Sequence, residues 1–176
     1  EAARGAAGAY VGAGPRGAVS DDAAGRESRA PRPRGGGSRS VQTYRREAGS
    51  PRLDVHSRGE WREDHRLLRA LFPVDVRSTR ATYDISGFGH LERPTHRNTP
   101  WDRARYEVCA HRWMDLAEPG FGVALLNDCK YGHSCHESTV GLTLLRAPKW
   151  PDPEADRGEH EFAYSLMPHA GDWRAA

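Results

Sequence analysis

The sequence predicts a mainly β protein, an antiparallel β-sandwich following a disordered N-terminal segment. Three observations carry that expectation. Apolar residues alternate with polar ones in several short runs of the C-terminal two thirds, the period-2 signature of half-buried strands. Turn-forming clusters separate those runs, and helical periodicity is weak throughout. Composition also breaks sharply near residue 50, where a segment rich in Ala, Gly and Arg gives way to one carrying nearly all the large apolar side chains.

Residues 1–50 contain 11 Ala, 10 Gly and 9 Arg but no Leu, Ile, Phe, Met or Trp. A segment so poor in apolar surface is expected to stay unfolded, because burial does not offset roughly 1–2 kcal/mol of backbone entropy per residue. It carries a net charge of +4 within a chain of net +2, so residues 51–176 are mildly acidic. The run Ala30-Pro-Arg-Pro-Arg-Gly-Gly-Gly-Ser-Arg-Ser40 is similar to Arg/Gly-rich segments that bind RNA or DNA. Aromatic residues that would stack on bases are almost absent from it, so a nucleic-acid partner is not expected. A secretory signal is not expected either, since Arg4 and Arg16 flank only Ala and Gly. The chain begins with Glu rather than Met, which fits a fragment or truncated gene.

In residues 51–176 the first strand candidate is Leu68, Ala70, Phe72, Val74 and Val76, on alternate positions. Residues 60–71 also admit an amphipathic helix, but the run continues straight into that strand. Next come Ala81, Tyr83 and Ile85 against Thr82, Asp84 and Ser86, then Tyr106, Val108 and Ala110 against Glu107, Cys109 and His111. Residues 121–126, then Val140, Leu142 and Leu144, then Phe162, Tyr164 and Leu166 complete the set. Residues 123–146 read as one hairpin with residues 131–138 as its loop. Six or seven antiparallel strands in this length imply a sandwich or part of one.

Composition excludes several classes. Mean hydropathy is −0.80, and no apolar run reaches the roughly 18–20 residues of a spanning helix, so no membrane is expected. Three cysteines without framework spacing and no N-glycosylation acceptor point to a reducing, cytoplasmic location. No Gly-rich nucleotide loop, metalloprotease motif or nucleophile elbow occurs.

Three polar groupings remain. Cys129, His133, Cys135 and His136, near Cys109 and His111, are dense in soft ligands and suggest zinc, though without a CxxC knuckle; small buried thiols beside a solvated loop are the alternative. Residues 93–101 place Arg93, His96, Asn98 and Trp101 in one strand-free run; planar donors beside an aromatic face suit hydroxyl-rich ligands such as sugars. Neutralisation of the arginines by Glu92 or Asp102 would make the same run a structural loop. Residues 152–159 form an acidic loop that reads as cation-binding or as solvated turn.

Consecutive blocks then carry a resemblance. They are Phe72-Pro-Val-Asp-Val76, Phe88-Gly-His-Leu-Glu-Arg-Pro-Thr-His-Arg-Asn-Thr99, Trp101-Asp102 and Tyr106-Glu-Val-Cys-Ala-His111. Gly122-Val-Ala-Leu-Leu-Asn-Asp-Cys-Lys-Tyr-Gly132, Leu144-Leu-Arg-Ala-Pro-Lys149, Pro151-Asp-Pro-Glu-Ala-Asp156, Gly158-Glu-His160 and Pro168-His-Ala-Gly-Asp-Trp173 follow. In this order and spacing, residues 52–174 resemble the C-terminal β-domain of glycoside hydrolase family 38 α-mannosidases of the cytosolic type. Residues 1–50 carry no such block. The resemblance implies part of a mutarotase-like super-sandwich in a retaining enzyme that depends on a divalent metal, zinc being the one expected, and removes terminal α-linked mannose from oligosaccharides or glycans.

It further implies that the metal and the nucleophile sit on a separate N-terminal barrel, so no catalytic residue and no bound metal are expected here. An arginine before an acidic, glycine-containing loop faces substrate in that family, and Arg146 before residues 152–158 matches it. The implied partners are a mannose-containing oligosaccharide, the catalytic domain and, in the intact enzyme, further copies in a homo-oligomer. A stand-alone carbohydrate-binding β module and an interaction domain with a basic nucleic-acid-binding tail are the alternatives.

Overall fold

The computed structural model describes residues 9–11, 18–22, 25–33, 37–87 and 89–174. The described strands are β1 (Ala9–Val11), β2 (Ala18–Asp22), β3 (Gly25–Pro33), β4 (Arg39–Glu47), β5 (Leu53–Trp61), β6 (Leu68–Pro73) and β7 (Arg80–Ile85). They continue with β8 (Gly89–Pro94), β9 (Val108–Cys109), β10 (Trp113–Glu118), β11 (Phe121–Asn127), β12 (Gly132–His136), β13 (Thr139–Leu145) and β14 (Gly158–Ala170). One short helix, α1 (Pro100–Ala104), interrupts them.

Two sheets form. The larger runs β2-β3-β4-β5-β14-β11-β10-β7-β8, and the smaller runs β1-β6-β13-β12-β9. All pairings are antiparallel except β1 with β6. The expected sandwich is therefore present, with a core between the sheets. Val55, Tyr83, Met114, Leu116, Leu125 and Phe162 of the larger sheet join Leu68, Ala70, Val140 and Leu142 of the smaller in one buried cluster. Burying each such side chain contributes about 1.5–3 kcal/mol.

Three expectations change. First, residues 123–146 are not one hairpin. Strand β11 pairs with β10 and β14 in the larger sheet, whereas β13 pairs with β12 and β6 in the smaller. The anticipated loop is itself a strand, β12, and the hairpin turn shrinks to Glu137 and Ser138. Glu137 takes a positive φ of 52° there. Second, the alternation at 105–111 yields only the two-residue β9. Arg105 closes α1, and Glu107 turns toward Arg69 and Thr143.

Third, the fold reaches into the expected leader. Strand β4 pairs with β5 along its length, from Arg39 opposite Glu60 to Arg46 opposite Leu53. Its inward residue Gln42 is buried, with a fully satisfied amide. The nitrogen donates to Ser57 Oγ at 3.3 Å and to Tyr164 Oη at 2.9 Å, and Tyr44 Oη donates to the oxygen at 3.0 Å. Ser38 is buried too, donating to Glu63 at 2.9 Å and accepting from the Arg62 N–H at 2.8 Å. A polar cluster joins this strand to β5 and β14. The remaining expectation for the leader, including three residues of the Arg/Gly run, rests on residues 1–8, 12–17, 23–24 and 34–36, outside the described residues.

Deleting residues 1–50 should therefore destabilise the sandwich more than deleting 1–36. The shorter deletion keeps Gln42 against Ser57 and Tyr164. The longer one removes β4 and with it the hydrogen bonds from Gln42 to Ser57 and Tyr164, an effect of about 1–3 kcal/mol. Urea midpoints of the two truncations check this; equal midpoints would show that β4 adds nothing.

Candidate functional site

The polar run 93–101 is positioned by the β7–β8 hairpin. Register sets Ala81 opposite Arg93 and Tyr83 opposite Leu91. Directly opposed residues share a face, so Arg93 and Leu91 lie on the side where Ala81 and Tyr83 enter the core. The smaller sheet ends at β9, and this end of the larger sheet is roofed by the run itself. Thr95 anchors the roof: its hydroxyl donates to the Ser78 carbonyl at 2.6 Å, its N–H donates to Thr79 O at 3.0 Å, and its carbonyl accepts from Glu137 N at 2.8 Å.

Helix α1 follows, started by a capping box in which Thr99 Oγ1 accepts from Asp102 N and the Asp102 carboxylate accepts from Thr99 N at 3.1 Å. Such a box satisfies two end donors reciprocally. The Thr99 hydroxyl is the main influence holding Asp102 below the usual carboxylate range, with smaller help from His96 and Arg105. His96 Nδ1 stands 3.7 Å from the same carboxylate.

Between the roof and the sheet edges lies a cavity of about 310 Å³, lined by Tyr83, Arg93, Asp102, Arg105, Val108 and Ser134 among others. Of the four residues singled out in this run, Arg93 lines the cavity and His96 abuts its wall through Asp102. Asn98 is exposed, as is Trp101 at 68%.

Arg146 sits elsewhere, just after β13. Its N–H and that of Ala147 donate to Asp156 Oδ2 at 2.7 and 2.9 Å. Burial would raise the Asp156 pKa, but these two hydrogen bonds outweigh it and hold the carboxyl low. The acidic loop is tied back to Asp64 by Lys149 Nζ at 2.6 Å and by both Arg157 Nε and Nη2, at 3.0 and 2.6 Å. Two of the loop's own charges, Asp156 and Arg157, are thus engaged internally, which favours a solvated turn. The Arg146 side chain is exposed, beside the half-buried Glu107, whose pKa burial raises against the pull of Arg69 and Arg146.

Asp156→Ala would leave two N–H groups without acceptors. An expected loss of about 1–3 kcal/mol, read from urea unfolding, should be largely recovered by Asp156→Asn.

The suggested zinc ligands do not converge. Cys129 is exposed beyond β11, while His133 is fully buried and Cys135 partly buried on β12. Among the described residues no group of three or more His, Cys, Asp or Glu is placed to hold a metal. Burial pushes the Cys129 thiol up to about 11 and the Cys135 thiol up to about 12. These four side chains therefore do not gather into a metal site of their own among the described residues.

Sequence reasoning missed Tyr83, Asp102, Arg105 and Ser134 as cavity residues. The Thr99–Asp102 spacing with Pro100 between was a readable helix start. Ser134 had no signal, since its strand looked like a loop.

Two packed, largely antiparallel sheets with polar loops between their strands define a β-sandwich domain. The family model for the glycosyl hydrolases family 38 C-terminal domain matches residues 27–154. The chain belongs to that family, and the match starts inside the expected leader. It is 58% identical over 130 residues to human Alpha-mannosidase 2C1, covering 74% of this chain and 12% of that protein. It is 51% identical over 127 residues to Alpha-mannosidase G of Dictyostelium discoideum, covering 72% and 12% respectively. A solved α-mannosidase from Enterococcus faecalis V583 shares the fold with a TM-score of 0.68 at 19% identity, covering 76% of this chain and 16% of that one. The chain thus spans about an eighth of the curated relatives it matches. No helix among the described residues is long and apolar enough to cross a membrane.

Proposed function

We propose that this chain acts as the C-terminal β-domain of an α-mannosidase that releases terminal α-linked mannose from oligosaccharides with retention. The single observation behind this reading is 58% identity over 130 residues to a protein bearing that name. The catalytic pair and the zinc belong, in this proposal, to a barrel supplied by other segments, and the domain is inactive alone. Its own contribution is a wall of the sugar site. Arg146, fixed at its backbone by Asp156, presents its guanidinium from a pinned turn. The exposed His96, Asn98 and Trp101 offer donors and an aromatic face suited to sugar hydroxyls and C–H faces. Arg93, the fifth such position, turns toward the inter-sheet cavity and is taken up below. Three free thiols support a reducing, cytoplasmic setting. Homo-oligomer formation through uncovered sheet edges completes the proposal.

Exchange tests it. Residues 27–174 should replace the matching segment of human Alpha-mannosidase 2C1 with retained release of nitrophenol from an α-mannoside. The isolated chain should give no turnover with added zinc. Turnover by the isolated chain, or a dead but folded chimera, would overturn the reading.

A further inference from the structure

The cavity between the sheets has an unusual hydrogen-bond balance. Arg93 enters it from the inner face of β8, a position that is apolar on the neighbouring strand, where Ala81 stands opposite. Its Nε is buried and has no hydrogen-bond partner among the described residues. Arg105 lines the same space, close enough to Asp102 to help hold that carboxyl low, while among the described residues Arg93 forms no ion pair. The acids that line the cavity are already engaged. Glu92 accepts from Arg80 Nε at 2.9 Å, and Asp102 accepts from the Thr99 hydroxyl at 2.8 Å.

The remaining polar groups are also donors. Ser134 Oγ accepts from Arg69 Nη2, which leaves its own proton to give. Tyr83 is held neutral, because burial raises its pKa far above the usual range. Two guanidinium groups line this space, so it suits a ligand rich in acceptors. Leu91 and Val108 add an apolar surface for a carbon skeleton. The volume, about 310 Å³, falls at the lower end for small-molecule sites.

We infer that this mouth is a binding site for a sugar-sized anion, whose phosphate or carboxylate pairs with Arg93 and Arg105 while its other oxygens meet Tyr83 and Ser134. Planar guanidinium groups match such oxyanions with paired, charge-assisted hydrogen bonds. This goes beyond the mannosidase reading, which concerns a neutral sugar on a different surface, and a negative result here leaves the chimera experiment untouched.

The test is titration of the whole 176-residue chain, followed by arginine Nε–H NMR, with mannose 6-phosphate, with glucuronate and with neutral mannose. The expected result is a saturable shift of the Arg93 signal with one or both anions, none with mannose, and none for the exposed Arg58. Response to the phosphate alone or the carboxylate alone would identify which oxyanion the site takes. Arg93→Gln should weaken binding about tenfold or more, the scale of a lost charged hydrogen bond. Arg105→Gln, on the solvent side of the roof, provides the same comparison if Arg93→Gln does not fold. No saturable shift with either anion, equal response to mannose, or equal movement of Arg58 would overturn the inference.

Discussion

Gly59→Val is expected to detach β4 and lower stability by about 3 kcal/mol. The glycine lies in the last third of β5, paired with Ser40 of β4. A Cβ added there would stand 2.8 Å from Ser40 Cα and 2.9 Å from Ser40 Cβ, and it would press on the Arg39 carbonyl. Two of those three contacts are backbone, so no rotamer change relieves them. Overpacking in a well-packed region costs about 1–3 kcal/mol, and here the relief available is to move the partner strand. That movement also strands Gln42, whose amide depends on Ser57 and Tyr164. The measurement is the urea midpoint together with limited proteolysis. Gly59→Val should fall in midpoint and become cleavable within residues 39–47, while the control Val41→Thr, at a position 44% exposed, should do neither. An unchanged midpoint would mean that β4 is not held against β5.

The same residues explain what the sequence concealed. Where one sheet face met the core, the pattern was readable: Leu68 and Ala70, Val140 and Leu142, Phe162 and Tyr164 all alternate, and all are buried. Strand β4 inverts the pattern. Its inward Gln42 is polar and buried, whereas its outward Val41 is exposed. A satisfied amide replaces apolar burial, and no periodicity of hydrophobic residues marks it. Strand β10 hides for a different reason, because both its faces are covered. Met114 and Leu116 enter the core while Asp115 is buried on the other side, holding His169 Nε2 at 2.8 Å and the Trp173 N–H at 3.1 Å. The break in composition at residue 50 was real, but it did not coincide with the edge of the fold.

The site was legible in part. The polar run was visible as chemistry, and Arg93 was among its members. Its direction was not, because which face a β8 residue takes depends on the hairpin register with β7. A one-residue slip would have turned Arg93 outward. In the cysteine and histidine cluster, His133 is fully buried on β12, while Cys129 is exposed before that strand.

Acid should destabilise the protein through His133, by about 3 kcal/mol between neutrality and pH ~4. The imidazole is fully buried. Its Nδ1 lies 3.3 Å from the Tyr131 carbonyl and its Nε2 lies 3.3 Å from Asn127 Nδ2. The first contact requires a proton on Nδ1, and the second requires a lone pair on Nε2. Asn127 cannot turn its amide to accept instead, because its oxygen already takes the Lys130 N–H. A second proton would therefore set two donors against each other in a desolvated space. Burial accordingly lowers the His133 pKa to about 4, against a smaller upward pull from Tyr131. The unfolded chain protonates this group near pH 6.5. Between those values the unfolded state binds more protons, so stability is full above about pH 6.5 and drains away as pH falls toward about 4. His133→Gln keeps a donor and an acceptor but removes the titration. The difference in unfolding free energy between wild type and this variant should shrink or reverse by about 3 kcal/mol from pH ~7.5 to pH ~4. Other acid-sensitive groups act on both proteins and cancel. A parallel decline in the two would show that His133 does not carry the acid sensitivity.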